Sequence, residues 1–301
     1  MNPDWSKPQN LIHFPMLNEP LEELVKATIE RIRREWPSTL GKPAHAVAFQ
    51  FMLKHAWWIY RCSRFLVADI PKDALRRPEF ALGLAPLSRT ILDAVFNVVF
   101  IFDDYPLRLC WYLDSGLKEV ERNFSRYAAT YAGDPKWTQW LAEAPKFKQV
   151  FIESRDEVCA KGAALPKGCF PHPGAILGQQ QLNDATLRPF LMYLNDWTYR
   201  ELSSAAHGHW AGLVQNIGQV LRVESGTEED LAINLKFRSD SVLQTMTFLL
   251  CLVSEIIAKA NFQGKERALI VWGLLAPISD DAKYLADSRY RALLASTAVH
   301  S

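Results

Sequence analysis

Pro86-Leu87-Ser88-Arg89-Thr90-Ile91-Leu92-Asp93-Ala94-Val95-Phe96-Asn97-Val98-Val99-Phe100-Ile101-Phe102 is the stretch on which the fold turns. Proline suits the first turn of a helix, and Ile91, Leu92, Val95, Val98 and Val99 make the segment apolar on most sides. A helix from about Pro86 to Phe102, buried over most of its surface, is therefore expected. Arg89, Asp93 and Asn97 are set into it four residues apart, so one polar stripe runs down an otherwise apolar cylinder.

Working outward, prolines and capping residues punctuate further helices. Asn18-Glu19-Pro20 looks like a helix start, and Leu21, Leu24, Val25, Ile29 and Ile32 recur at helical spacing up to Trp36. A second helix is expected from His45 to Ile70, and others from Pro106 to about Tyr131, from Lys136 to Leu141 and from Lys146 to Lys161. Thr227 and Asp230 form a capping box for a helix reaching Asn261, and 265–294 is mostly helical. No alternating run long enough for a sheet and no internal repeat is present. The chain reads as all-α, a helical bundle forming a single domain over 1–301. Residues 1–18 are expected as an N-terminal arm and 162–183 as one long irregular mid-chain loop, a length that usually carries function.

Across 301 residues, 34 Lys plus Arg balance 33 Asp plus Glu, which excludes a surface that is basic throughout. With 49% apolar and 22% charged residues the chain is not mainly disordered. The five cysteines are scattered without a CxxC pair, so neither a small disulfide framework nor a cysteine zinc site is expected. No signal peptide opens the sequence, and the longest apolar run, Met246 to Ile257, is short for a bilayer span. A reducing, cytoplasmic setting away from the membrane is the expectation.

The second polar stripe lies in Asp196-Trp197-Thr198-Tyr199-Arg200-Glu201-Leu202-Ser203-Ser204-Ala205-Ala206-His207-Gly208-His209. With Asp196 as cap and Gly208 as terminator, Tyr199, Ser203 and His207 share a helix face, and Arg200 lies two turns before His207. Two readings are open. The phenol, hydroxyl, guanidinium and imidazole form either a buried network that fixes helix register or, with Arg89, Asp93 and Asn97, a pocket. In the first case the protein is a non-enzymatic interaction or regulatory protein; a small-ligand sensor, with the stripes as polar anchors, is a further possibility.

The two stripes resemble an uncharacterised bacterial all-helical family whose pattern is Arg-x3-Glu-x3-Asn followed by Tyr-x3-Ser-x3-His. The similarity covers about Ala44 to Leu221, with Asp93 where the family usually has Glu. The Arg200-x6-His207 spacing is also similar to the HEPN ribonucleases, small all-α proteins that carry Arg-x4–6-His. That resemblance implies a metal-independent endoribonuclease, a toxin or antiphage defence effector, needing no cofactor. It would have His207 moving a proton, Arg200 steadying the anionic transition state, and Tyr199 and Ser203 positioning. The partners so implied are RNA and a second protomer of a homodimer, or a cognate protein.

Other patterns carry less. Phe102-Asp103-Asp104-Tyr105-Pro106 is similar to the aspartate-rich motif of class I terpene synthases. Leu107 replaces the next carboxylate, however, and a helix end and turn is expected instead. His207 and His209 are two apart, the wrong spacing for metal ligands on a helix, and no metal site is expected. Trp57, Trp58, Arg61 and Arg64 share one helix, either as a base-stacking face or as core and interface residues.

Overall fold

The computed structural model describes residues 15–68, 82–162, 164–178, 182–206 and 210–296, and among them every regular element is helical. In chain order these are α1 (Pro15–Arg34), a 3-10 turn (Ser38–Leu40), α2 (Pro43–Ala68), α3 (Leu84–Asp103), α4 (Leu107–Tyr131), α5 (Pro135–Val158) and α6 (Pro173–Gly178). They continue as α7 (Leu187–Leu194), a π turn (Asn195–Tyr199), α8 (Arg200–Ala206), α9 (Trp210–Ser225) and α10 (Glu228–Lys259). The chain closes with α11 (Lys265–Leu275), α12 (Asp280–Leu285), a second π turn (Ala286–Tyr290) and α13 (Arg291–Ala295).

The centre is made by the two most apolar helices. α3 buries Ile91, Leu92, Val95, Phe96 and its 98–101 run against α10, whose 245–257 segment is wholly buried. α2 packs on both, α1 lies over α2, and α8 covers the remaining flank of α3. Both central helices are long and apolar enough to cross a bilayer by length and composition. Their most apolar windows are 56% and 83% buried inside the fold, as core helices are. α4 and α5 form an antiparallel pair that leans on α3 and α2. The Thr227 cap forms as expected, its hydroxyl accepting from the Asp230 N–H at 3.2 Å.

Several expectations are refined. α1 begins at Pro15, so 15–18 belong to a helix, and Asn18 is buried where it accepts from the Tyr60 hydroxyl at 2.7 Å; residues 1–14 lie outside the described set. The two pieces read around Pro145 are one helix, α5, with Pro145 on its exposed face. A proline inside a helix leaves one carbonyl without its intrahelical donor. The mid-chain loop contains the short helix α6, anchored by buried Pro173 and Ile176.

The cysteine expectation is corrected. Cys110 on α4 and Cys159 at the end of α5 form a disulfide, while Cys62, Cys169 and Cys251 are free thiols. The pair is 49 residues apart in sequence, and only the antiparallel packing of α4 on α5 brings it together.

α9 is inside out. Gly212 faces α8 so closely that an added Cβ would fall 2.4 Å from the Ser204 carbonyl oxygen. Gln219 accepts from Asn234 on α10 at 3.1 Å, also on the inner side. The outer side carries Trp210, Leu213, Val214, Ile217 and Leu221, a stripe at helical spacing that is 40–78% exposed.

Candidate functional site

The site is built where α8 crosses α3. On α3 the i, i+4 spacing sets Arg89, Asp93 and Asn97 on the one flank not covered by apolar neighbours. On the facing element a π turn precedes α8. It carries one residue more per turn than an α-helix and so rotates the downstream residues by roughly 100° relative to a regular helix. The apolar face of α7 (Leu187, Phe190, Leu191, Leu194) and the downstream Thr198 and Leu202 are all buried despite the phase change. Tyr199 and Ser203 then meet α3. Asp196, expected as a helix cap, lies inside this continuous run instead.

Arg89 is the hub. Its Nη1 donates to Ser203 Oγ at 2.8 Å, its Nη2 to the Tyr199 hydroxyl at 3.0 Å, and its Nε lies 3.6 Å from Asp93 Oδ2. The guanidinium also sits 5.0 Å from the centre of the Tyr199 ring, which meets Phe96 edge-on. Burial, and secondarily the Asp93 charge, push the Tyr199 phenol above its ordinary range, with Arg89 opposing. At neutral pH it is therefore a hydroxyl, able to donate to Asp93 while accepting from Arg89. The Arg89 side chain is 18% exposed and that of Asp93 37%, so the cluster is neither sealed nor fully wet.

The cluster opens onto a cleft of about 680 Å³ between α3, α4, Tyr199 and the 169–173 segment. Arg89, Asp93, Asn97 and Tyr199 line one side, and the Asn97 amide has no hydrogen-bond partner among the described residues. Tyr112, Lys118 and Arg122 of α4 line the other, with Phe170 and His172 closing the end. Three cations (Arg89, Lys118, Arg122) face two carboxylates (Asp93, Glu119), although Lys118 already pairs with Asp114 at 2.7 Å. Gly116 is also in this wall, and a Cβ there would meet nothing within 4 Å, so the cleft is open in front of it.

The loop wall is held firmly. The Trp111 indole donates to the Gly168 carbonyl at 3.1 Å, and the Phe170 N–H donates to Ser115 Oγ at 2.8 Å. Gly168 has φ +94°, a left-handed conformation that costs a side-chain-bearing residue and suits glycine. Phe170 then inserts edge-on among Phe100, Trp111 and Tyr112.

Of the residues singled out in the sequence, the structure brings together Arg89, Asp93, Tyr199 and Ser203, with Asn97 in the same cleft wall. Arg200 does not join them. About 100° per residue puts it some 80° from the midline between Tyr199 and Ser203. Its side chain is 76% exposed, 3.4 Å from Asp196. His207, with Gly208 and His209, lies outside the described residues. Among the described residues no group of three or more His, Cys, Asp or Glu could hold a metal ion. Asp103 ends α3, as the helix-end reading has it. Its carboxylate accepts from the Asn183 and Asp184 N–H groups at 2.7 Å and pairs with Arg108, which occupies it structurally. Trp57 lies under Lys26 and Arg61, whereas Trp58 is 60% exposed.

Sequence reasoning missed the α4 wall. Lys118, Glu119 and Arg122 look like any solvated helix face, and only the apolar Phe170 in a long loop gave a signal. Compared with models of known protein families, with curated proteins and with solved structures, the chain finds no match.

Proposed function

We propose that the protein is a small-ligand sensor, binding in the α3–α4 cleft a molecule with an anionic, hydrogen-bonding head. The observation that carries this reading is the state of Arg89. Two of its five N–H donors are held in a fixed fork by Ser203 and Tyr199, with the Asp93 carboxylate 3.6 Å from Nε, while the group still borders open space. A guanidinium held in this way loses little freedom on meeting a carboxylate or phosphate. Asn97 adds an amide with donor and acceptor, and Tyr112 and Phe170 add ring faces for a planar group.

Calorimetric titration with the ribonucleoside 5′-monophosphates and with inorganic phosphate tests the reading. Binding lost in both Arg89→Ala and Gly116→Phe supports it, because the second variant fills the cleft without touching a polar group. Binding that survives both overturns it.

Metal-independent RNA cleavage is the second reading, favoured by one observation: the exposed Arg200 guanidinium is accessible to a phosphodiester. Cleavage of RNA that is lost in Arg200→Ala and His207→Ala supports it, and wild-type rates in either variant refute it. The proposed protein partner is a second copy of the chain. Its support is the outward apolar stripe of α9, which a two-fold helix pair would bury against itself. Sedimentation of the wild type against Ile217→Glu reads the difference.

A further inference from the structure

Beside the polar cleft lies a second cavity of different character. It is a groove of about 420 Å³ between α2 and α5, walled by Val47, Phe51 and Met52 on one side and Val150 on the other. The two cavities are neighbours with a common border, since Tyr112, Leu113 and Phe151 line both. Exposed apolar side chains concentrate there: Val47 is 47% exposed, Phe51 65%, Val150 60% and Phe151 45%. Ala44 and Ala48 on α2 keep the floor low. A polar, cation-bearing cleft thus runs past one aromatic–aliphatic border into a mainly apolar channel, in which His55, Ser154 and Glu157 are the polar lining residues beyond the Tyr112 border.

We infer that the two cavities together hold one amphiphilic molecule. Its anionic head lies at Arg89, Asn97 and Arg122, and its alkyl or acyl chain passes Tyr112 and Phe151 into the groove between α2 and α5. The inference rests on the cleft reading above and narrows it to a ligand class. Charge selects the head. The chain is selected by walls that are apolar over most of their length, where His55, Ser154 and Glu157 are too few to replace the water a hydrophilic extension would lose. Burying the chain also covers Phe51 and Val150, which are otherwise wetted.

The test is a homologous series of n-alkyl phosphates (hexyl, octyl and decyl), titrated below their micelle concentrations into the full chain. Inorganic phosphate serves as the head alone. Each methylene that enters the groove contributes ~0.8 kcal/mol, so affinity should rise about fourfold per methylene until the groove is filled. Phe51→Asp and Val47→Asp replace exposed side chains, so folding is retained. They should flatten the chain-length dependence while leaving phosphate binding unchanged. Arg89→Ala should weaken every member, inorganic phosphate included.

Affinity independent of chain length but abolished by Arg89→Ala overturns the joint site and leaves the cleft reading standing. A chain-length dependence that Arg89→Ala does not touch overturns both. Adsorption to phosphatidylglycerol vesicles, with no binding of the monomeric amphiphiles, also overturns the inference, because it assigns the apolar residues to a membrane surface.

Discussion

Removing the two hydroxyls that hold Arg89 measures how far the site is structure and how far it is open to water. Ser203→Ala deletes the acceptor 2.8 Å from Nη1, and Tyr199→Phe deletes the one 3.0 Å from Nη2. The tyrosine ring stays, and with it the contact to the guanidinium and to Phe96. A hydrogen bond to a charged group contributes ~1.5–3 kcal/mol, and a lost acceptor costs most where water cannot replace it. Arg89 is 18% exposed and borders the cleft, so water can reach it and the lower end applies. Each single variant should therefore cost about 1–1.5 kcal/mol and the pair about 2–3 kcal/mol. At this chain length that lowers the melting temperature by roughly 3–5 °C for the pair. Arg89→Met, which removes the donor and leaves two hydroxyls free to bind cleft water, should cost less than the pair. Urea unfolding followed by circular dichroism, at unchanged m, gives the values. Loss of more than about 5 kcal/mol in the double variant would mean a sealed network with no room for a ligand, and no loss at all would mean that the fork does not hold Arg89.

Elsewhere the structure makes three further predictions. Glu255, wholly buried on α10, is paired through both oxygens with Arg289, so Glu255→Gln strands a buried cation and should cost about 3–5 kcal/mol by urea denaturation. The Cys110–Cys159 disulfide closes a loop with a sequence separation of 49. Breaking it with dithiothreitol or by Cys159→Ser should cost up to ~4 kcal/mol of loop entropy, and an unchanged urea midpoint would refute the link. Burial raises the phenol pKa of Tyr60, Tyr105, Tyr193, Tyr199 and Tyr290. The folded chain therefore keeps protons that the unfolded chain gives up near pH ~10, and stability falls as pH rises above that value. Stability that is level from pH 9 to pH 11.5 refutes this.

The helices that position the site were legible because their causes are local. Apolar spacing marked α1 and α3, and Thr227 marked the start of α10; each needs only a few adjacent residues. The polar stripe of α3 was legible for the same reason. Arg89, Asp93 and Asn97 stand out because an apolar helix has no local use for them. The cleft was not legible, since its second wall depends on where Phe170 is strapped to Ser115 and on how α4 lies against α3. The disulfide failed for the same reason: it is a consequence of packing between helices, with no signature in the spacing of its cysteines.

Arg200 and Arg89 show how a local reading can choose the right neighbourhood and the wrong geometry to expect within it. Spacing alone put Arg200 on a stripe with Tyr199 and Ser203, and by azimuth it is close to that stripe, some 80° away. A difference of that size separates a side chain on the α3 side from one in solvent. The sequence offers no sign of it, because the facing surface belongs to another helix. What α8 needed was a cation to accept into its Tyr199–Ser203 pair, and α3 supplied it as Arg89, while Arg200 turned outward to Asp196. A π turn leads into the arrangement. It joins α7, whose leucines lie in the core, to the segment whose Tyr199 and Ser203 meet Arg89 of α3. An irregular turn next to a polar cluster at the mouth of a cleft is the kind of local departure that proteins retain for binding.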